Sequence, residues 1–321
     1  MDRVPRRQIT ALWFAFIAFF GMVNNASAQA WVPPSGSGSV SLSYQRIDNT
    51  GHLRTNGMLA ERGQSLDMGL FLEADYSVTD RLSVAAGLPY VFAKYQGAPF
   101  IPPIPYLPND QCHCWHGGWQ DWGVSGRYNV IRTANGAFSL TPSVSVGVPS
   151  HNYDFRGESV LGRDLKEARI GIDAGQRLDA ISPNLLVEGH YSYAFVERVI
   201  EIGTNRSNAG VATTYLLFHR RLAARGFATW QRTHGGLRLG SAAPASLVLP
   251  GEVDTPERVF QHDRLLRDNY FHAGGGFSYA FPLMDVFASY NAFVSGTDSH
   301  AGRAITVGVS WPFQLRGAHG N

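Results

Sequence analysis

The stretch Cys112-His113-Cys114-Trp115-His116 places two thiols and two imidazoles within five residues. Thiolate sulfur and imidazole nitrogen are the donors taken by soft or borderline ions such as copper and zinc. Cys112, His113, Cys114 and His116 are therefore candidate metal ligands, although the spacing matches no standard zinc pattern. A Cys112–Cys114 disulfide is the competing state in an oxidising compartment. Glu188, His190 and Ser192 form a second constellation, a carboxylate, an imidazole and a hydroxyl on alternate positions. Alternate residues of a strand stand about 6.6 Å apart, too far for a tight nucleophilic relay. The sequence shows no nucleophile elbow, paired metal motif or phosphate-binding loop. It predicts no catalysis and no cofactor. The third group is the largest: Asp67, Glu73, Asp75, Arg127, Glu167, Arg169, Asp173, Arg177, Glu188, His190 and Arg225 share the polar face of alternating segments.

Those segments must position all three groups. In residues 66–76 the even positions are Leu66, Met68, Leu70, Leu72, Ala74 and Tyr76, against Asp67, Gly69, Phe71, Glu73 and Asp75. Period two puts one set on each face of a strand. Residues 138–148 and 305–313 repeat the pattern, the latter with Ile305, Val307, Val309, Trp311 and Phe313 on one face. Twelve such segments are predicted: 38–47, 64–77, 82–94, 121–131, 137–148, 165–178, 184–196, 208–218, 222–233, 269–280, 285–296 and 303–313. Connections after the even-numbered segments are short. Those after the odd-numbered ones are long (48–63, 95–120, 149–164, 197–207, 234–268), except for 297–302 at the end. Short turns on one edge and long loops on the other mark an all-β, transmembrane, antiparallel up-and-down β-barrel of about twelve strands. Eleven residues tilted by about 40° span roughly 28 Å, the apolar thickness such barrels need. A soluble β-sandwich would alternate as well. Against it stand the twelve hairpin-linked segments and the aromatic residues Tyr76, Tyr90, Phe92, Tyr128, Tyr191, Tyr193, Phe195, Tyr279, Phe281, Trp311 and Phe313, many near strand ends where interfacial girdles form.

Composition agrees. The chain has 321 residues, 44% hydrophobic and 16% charged, with a mean hydropathy of −0.13. A polytopic helical protein needs runs of about 20 apolar residues, and none follows residue 23. Aromatics at 12% argue against disorder. Residues 1–28 read as a cleaved signal peptide: Arg3, Arg6 and Arg7, then the apolar run 11–23, then Ala26-Ser27-Ala28. Residues 29–321 form a single barrel domain. Removing 1–28 leaves equal numbers of basic and acidic side chains, so no nucleic-acid partner is supported. With only two cysteines no disulfide framework can hold the fold.

Several stretches resemble a family of outer-membrane proteins named for the meta pathway of phenol degradation. They are Gly87-Leu88-Pro89-Tyr90-Val91, Trp119-Gln120-Asp121-Trp122-Gly123-Val124-Ser125-Gly126-Arg127-Tyr128-Asn129-Val130, Val146-Gly147-Val148-Pro149-Ser150 and Glu188-Gly189-His190-Tyr191-Ser192-Tyr193. The family tends to carry Gly-Asp at Gln120-Asp121 and Pro-Thr-Gly at Pro149-Ser150-His151. The last strand resembles the aromatic-terminated signal read by barrel-assembly machinery, although Phe313 is followed by eight further residues. The resemblance implies a bacterial outer-membrane barrel that passes small, often aromatic, compounds. It brings no binding residues with it. Its expected partners are outer-membrane lipid, lipopolysaccharide, a small-molecule solute and the assembly machinery.

The polar face would then line the lumen. One reading has its charges pairing with each other; the other has them lining a narrow polar channel. Twelve strands lie between the filled eight-stranded barrel and the open sixteen-stranded pore. In loop 95–120, Pro99, Pro102, Pro103, Pro105 and Pro108 interleave with Phe100, Ile101, Ile104, Tyr106 and Leu107, a stiff apolar arm. It could constrict the pore or pack on its neighbours. Asp254-Thr255-Pro256-Glu257 reads as the start of a short helix. Two further readings remain open: a structural or adhesive barrel without transport, and a barrel enzyme.

Overall fold

The computed structural model of the chain describes residues 30–60, 63–97, 107–239, 258 and 260–315. The expected signal peptide, the arm from Pro99 to Tyr106 and the Asp254–Glu257 helix start lie outside them. Twelve long strands run through the described residues: β1 (Ser37–Leu53), β2 (Gln64–Ser77), β3 (Leu82–Gln96), β4 (Asp121–Tyr128), β5 (Phe138–Pro149), β6 (Glu167–Arg177), β7 (Leu185–Val196), β8 (Thr204–Leu217), β9 (Leu222–Gly235), β10 (Asn269–Ala280), β11 (Asp285–Thr297) and β12 (Ser299–Gln314). Each pairs antiparallel with the one before it, and β12 returns to pair with β1 from Ser37 opposite Gln314 to Leu53 opposite Ser299. The sheet is therefore closed. Short strands at Leu59–Ala60, His116–Trp119 and Ile131–Arg132 add to its rims. Among the described residues, helix is confined to single turns such as α1 (Pro108–Gln111) and α2 (His262–Leu265). No described helix is long and apolar enough to cross a membrane; crossing falls to the strands.

The wall is apolar outside and polar inside. On β1, Val40, Leu42 and Tyr44 are exposed while Ser41, Ser43 and Gln45 are buried. On β12, Ile305, Val307 and Trp311 are exposed while Thr306 and Ser310 are buried. A water-soluble sandwich reverses this order, because its apolar faces meet each other. Here the apolar faces need acyl chains, and lipid accepts only structures whose backbone groups pair internally. Exposed rings form two girdles. Tyr128, Tyr215, Phe281, Trp311 and Phe313 lie toward the short-turn end; Trp119, Trp122, Phe195, Trp230 and Phe271 lie toward the loop end.

Two expected elements differ, each for a local reason. The segment expected at 121–131 leaves the ladder after Tyr128 and resumes at Ile131–Arg132. Asn129 is buried, and its side-chain amide donates to Thr141 Oγ1 at 2.9 Å and to Ser139 Oγ. That competes with regular pairing. The last outer loop, expected at 297–302, shrinks to Asp298 between β11 and β12. Asp298 has φ 53°, a left-handed conformation that Asp tolerates better than most residues. Its carboxylate accepts from Thr55 Oγ1 at 2.6 Å and from the Leu239 amide at 2.7 Å. The ladder also breaks at Gln120, opposite Pro89, which has no N–H to donate; there the Gln120 amide donates to the Pro89 carbonyl at 2.9 Å.

The two faces must respond differently to substitution. Val307→Arg places a charge on the lipid face at mid-strand and is expected to cost about 2–4 kcal/mol of folding stability in vesicles. Thr306→Ala removes a hydroxyl that accepts from Gln45 Nε2 at 3.0 Å inside the barrel and is expected to cost about 1 kcal/mol. Denaturant unfolding of both variants in lipid vesicles checks this; equal costs would contradict the assignment of faces.

Candidate pore and lumen

The lumen-facing side chains are held by strand alternation and joined across strands. Toward the short-turn end, Arg127 of β4 reaches Asp75 of β2 at 2.8 Å. Arg127 also lies within electrostatic reach of Asp173 on β6 and Glu188 on β7. Glu188 faces Arg225 of β9 at 3.7 Å, with both side chains under 8% exposed. Toward the loop end, Glu167 pairs with Arg169 at 2.6 Å and with Arg206 of β8. Arg163, in the loop before β6, pairs with Asp268 at 2.8 Å, and Gln231 of β9 donates to the same carboxylate at 2.9 Å. Burial pushes the Asp268 carboxyl up, but Arg163 and His300 beside it hold it below its ordinary value.

Space remains between these pairs. A cavity of about 630 Å³ is bordered by Glu73, Arg127, Arg169, Asp173, His190 and Arg206. A second, of about 330 Å³, is bordered by Glu188, His190 and Arg225 and by the rings of Phe227, Tyr270, His272 and Phe287. His190 borders both. A third, of about 240 Å³, lies by Asp67, Asn49, Asp263 and His300. Ten of the eleven residues expected on the polar face border these cavities or, as with Asp75, pair with a residue that does. Arg177 does not. Its guanidinium pairs with Asp179 at 2.5 Å and donates to the Asn135 carbonyl, both in the short turns at the barrel rim. Arg177 lies on the lumen face of β6, but at its last residue, where the strand has left the barrel interior.

The relay of Glu188, His190 and Ser192 does not assemble, since Glu188 turns to Arg225 and Ser192 Oγ has no hydrogen-bond partner among the described residues. The four candidate metal ligands at 112–116 are not gathered either. Cys112 and Cys114 are joined to each other as a disulfide. His113 Nδ1 lies 3.1 Å from the Tyr95 carbonyl and His116 Nε2 lies 2.7 Å from the Ser159 carbonyl. With both sulfurs oxidised, the thiolate donors of the expected site are gone.

The sequence reading missed what fills the short-turn end. Ala30, Trp31 and Val32 run inside the barrel and are almost fully buried. Ala30 and Trp31 pack with Leu186, Leu216 and Ala223 on the lumen faces of β7, β8 and β9. The Ala30 carbonyl accepts from Ser139 Oγ and from Thr141 Oγ1 at 2.6 Å, and its amide bonds to Glu188. Trp31 Nε1 donates to the Gly136 carbonyl at 3.1 Å. Gly175 makes the room: a Cβ there would lie 2.4 Å from the indole. The one signal in the sequence was a tryptophan three residues after the expected cleavage site.

No known family profile matches the sequence, and no curated protein matches it. Among solved structures, the chain resembles the COG4313 outer membrane channel from Pseudomonas putida F1, with a TM-score of 0.67, 11% identity, and coverage of 91% of this chain and 100% of that one. It also aligns with the translocator domain of the autotransporter NalP from Neisseria meningitidis, with a TM-score of 0.48, 13% identity, and coverage of 86% and 88%. The first likeness shows the fold: a closed barrel of the outer-membrane type.

The Glu188–Arg225 pair is testable by a double-variant cycle. Arg225→Met alone leaves a carboxylate uncompensated in the wall and is expected to cost about 3 kcal/mol. Adding Glu188→Gln is expected to restore more than half of that in denaturant unfolding. Strictly additive costs would contradict the pairing.

Proposed function

We propose that the protein is an outer-membrane channel for small solutes, aromatic ones among them, with its own N-terminal segment seated as a stopper. The observation that carries this reading is a closed barrel whose polar lumen keeps cavities of about 630 and 330 Å³ while Trp31 occupies one end. A purely structural barrel has no need of interior space. The rings beside the second cavity support aromatic solutes: Tyr270 and His272 stack with centroids 4.4 Å apart, offering flat apolar walls beside charged groups. The resemblance to the phenol-pathway family points the same way, and the likeness to the Pseudomonas putida outer membrane channel supports passage in general. Lumen charges of both signs favour no single ion.

The seat is held by small net forces. Burying an indole of about 200 Å² contributes about 5 kcal/mol. Ordering Ala30, Trp31 and Val32 costs about 3–6 kcal/mol. Burial and ordering nearly cancel, so the seat rests on the few hydrogen bonds of Ala30 and Trp31, about 1 kcal/mol each. Outside, Arg46, Asp48 and Arg303 form a charged cluster on the outward face just above the apolar belt. That is where the phosphates of lipopolysaccharide stand, and the cluster supports lipopolysaccharide as the partner of the loop end. The last strand, with Trp311 and Phe313 near its end, supports barrel-assembly machinery as the partner in delivery.

Planar bilayer recording tests the channel. The mature protein is expected to give small or rare conductance steps, and a variant lacking residues 30–33 larger and more frequent ones, reduced by added phenol. No conductance from either form, beside a working porin, would contradict the channel and favour a structural barrel.

A further inference from the structure

The loop-end termini of β1 and β12 bring His52 and His300 opposite each other as cross-strand partners, with ring centroids 4.2 Å apart. α2, the helical turn before β10, lays His262 against them, 5.4 Å from the His52 ring and 6.3 Å from the His300 ring. Asp263 of the same turn places Oδ1 3.3 Å from Nε2 of His262 and 3.3 Å from Nε2 of His300. One donor atom from each of the four side chains lies within 4.8 Å of the other three. His52 and His262 are buried.

We propose that His52, His262, Asp263 and His300 bind a divalent transition-metal ion of the zinc class at the outer rim of the barrel. Three imidazole nitrogens and a carboxylate oxygen are a tetrahedral donor set. Zinc bonds of about 2.0–2.1 Å put such donors about 3.3 Å apart, the spacing that Asp263 already has to two of the imidazoles. The remaining donor pairs, all within 4.8 Å, would close to that spacing around the ion. The set suits zinc, copper or nickel, whereas calcium and magnesium take oxygen ligands.

An ion has a path in. His300 borders the 330 Å³ cavity, and both His300 and Asp263 border the 240 Å³ cavity. Asp67 faces the latter, within electrostatic reach of Asp263. A bound ion would pin α2 to the seam where first and last strands meet. The inference stands apart from conduction: a barrel that passes nothing could still hold the ion.

The test uses the mature chain folded in detergent, stripped with chelator, carrying Cys112→Ser and Cys114→Ser so that no thiol contributes. Zinc chloride is titrated by calorimetry, and cobalt chloride by the visible bands of tetrahedral cobalt(II). One equivalent per barrel is expected. His52→Ala with His300→Ala is expected to weaken binding at least 100-fold, more than the 10- to 100-fold typical of a lost outer-shell partner. Asp263→Asn, which keeps the side-chain volume, is expected to weaken it at least 10-fold while the unheated gel band stays compact. Absence of stoichiometric binding, or undiminished binding in a folded variant, would overturn the proposal.

Discussion

Every backbone N–H and C=O within the hydrocarbon must find a partner on the protein, because lipid offers none. An open sheet fails this at two edges; a closed one fails nowhere. The pairing of β12 with β1 along their whole length is therefore the contact on which the rest depends. It explains how a chain with two cysteines, paired two residues apart, holds together without a conventional core. Cohesion comes from the hydrogen-bonded ring and from lipid around Val40, Leu42, Val144, Ile172 and Val307, all exposed in the isolated chain. The register shift between Asn49 and Gly51 lies near the outer end of this seam, clear of the apolar belt.

Closure dictates the interior. Once one face of every strand is committed to lipid, the other faces inward whatever its charge. Charges there are tolerated because they meet partners, across strands as Arg127 meets Asp75 and Glu167 meets Arg206, or along one strand as Glu167 meets Arg169. The same arrangement leaves gaps, since twelve strands enclose more volume than their side chains fill. Those gaps are the cavities left between the paired charges of the lumen. The Ala30–Val32 segment fills part of them with residues from outside the strands.

The barrel was legible because its signal is local. Period two in 64–77 and 269–280 marks both bounds of β2 and β10 as found, and alternation of short and long connections orients the barrel. Inward placement of Glu73, Asp173 and Glu188 followed by parity. Other features depend on neighbours that no local pattern shows. The break after Tyr128 comes from Asn129 bonding to residues of β5. The loss of Arg177 from the lumen comes from Asp179 competing for it at the rim. The cysteine–histidine run displayed the right atoms at short range, yet backbone direction sends its rings to different carbonyls. By contrast, His52, His262, Asp263 and His300 are far apart in the chain and meet only through strand register and loop packing.

The central claim is that alternate residues of each strand face lipid and lumen in a closed ring. A nitroxide scan of residues 304–311 in vesicles, on the Cys112→Ser/Cys114→Ser background, tests it most directly. The account predicts that collision with dissolved oxygen, which concentrates in hydrocarbon, is high at Ile305, Val307, Val309 and Trp311 and low at Ala304, Thr306, Gly308 and Ser310. Accessibility without a two-residue period, or high toward a water-soluble relaxer at every position, would contradict it.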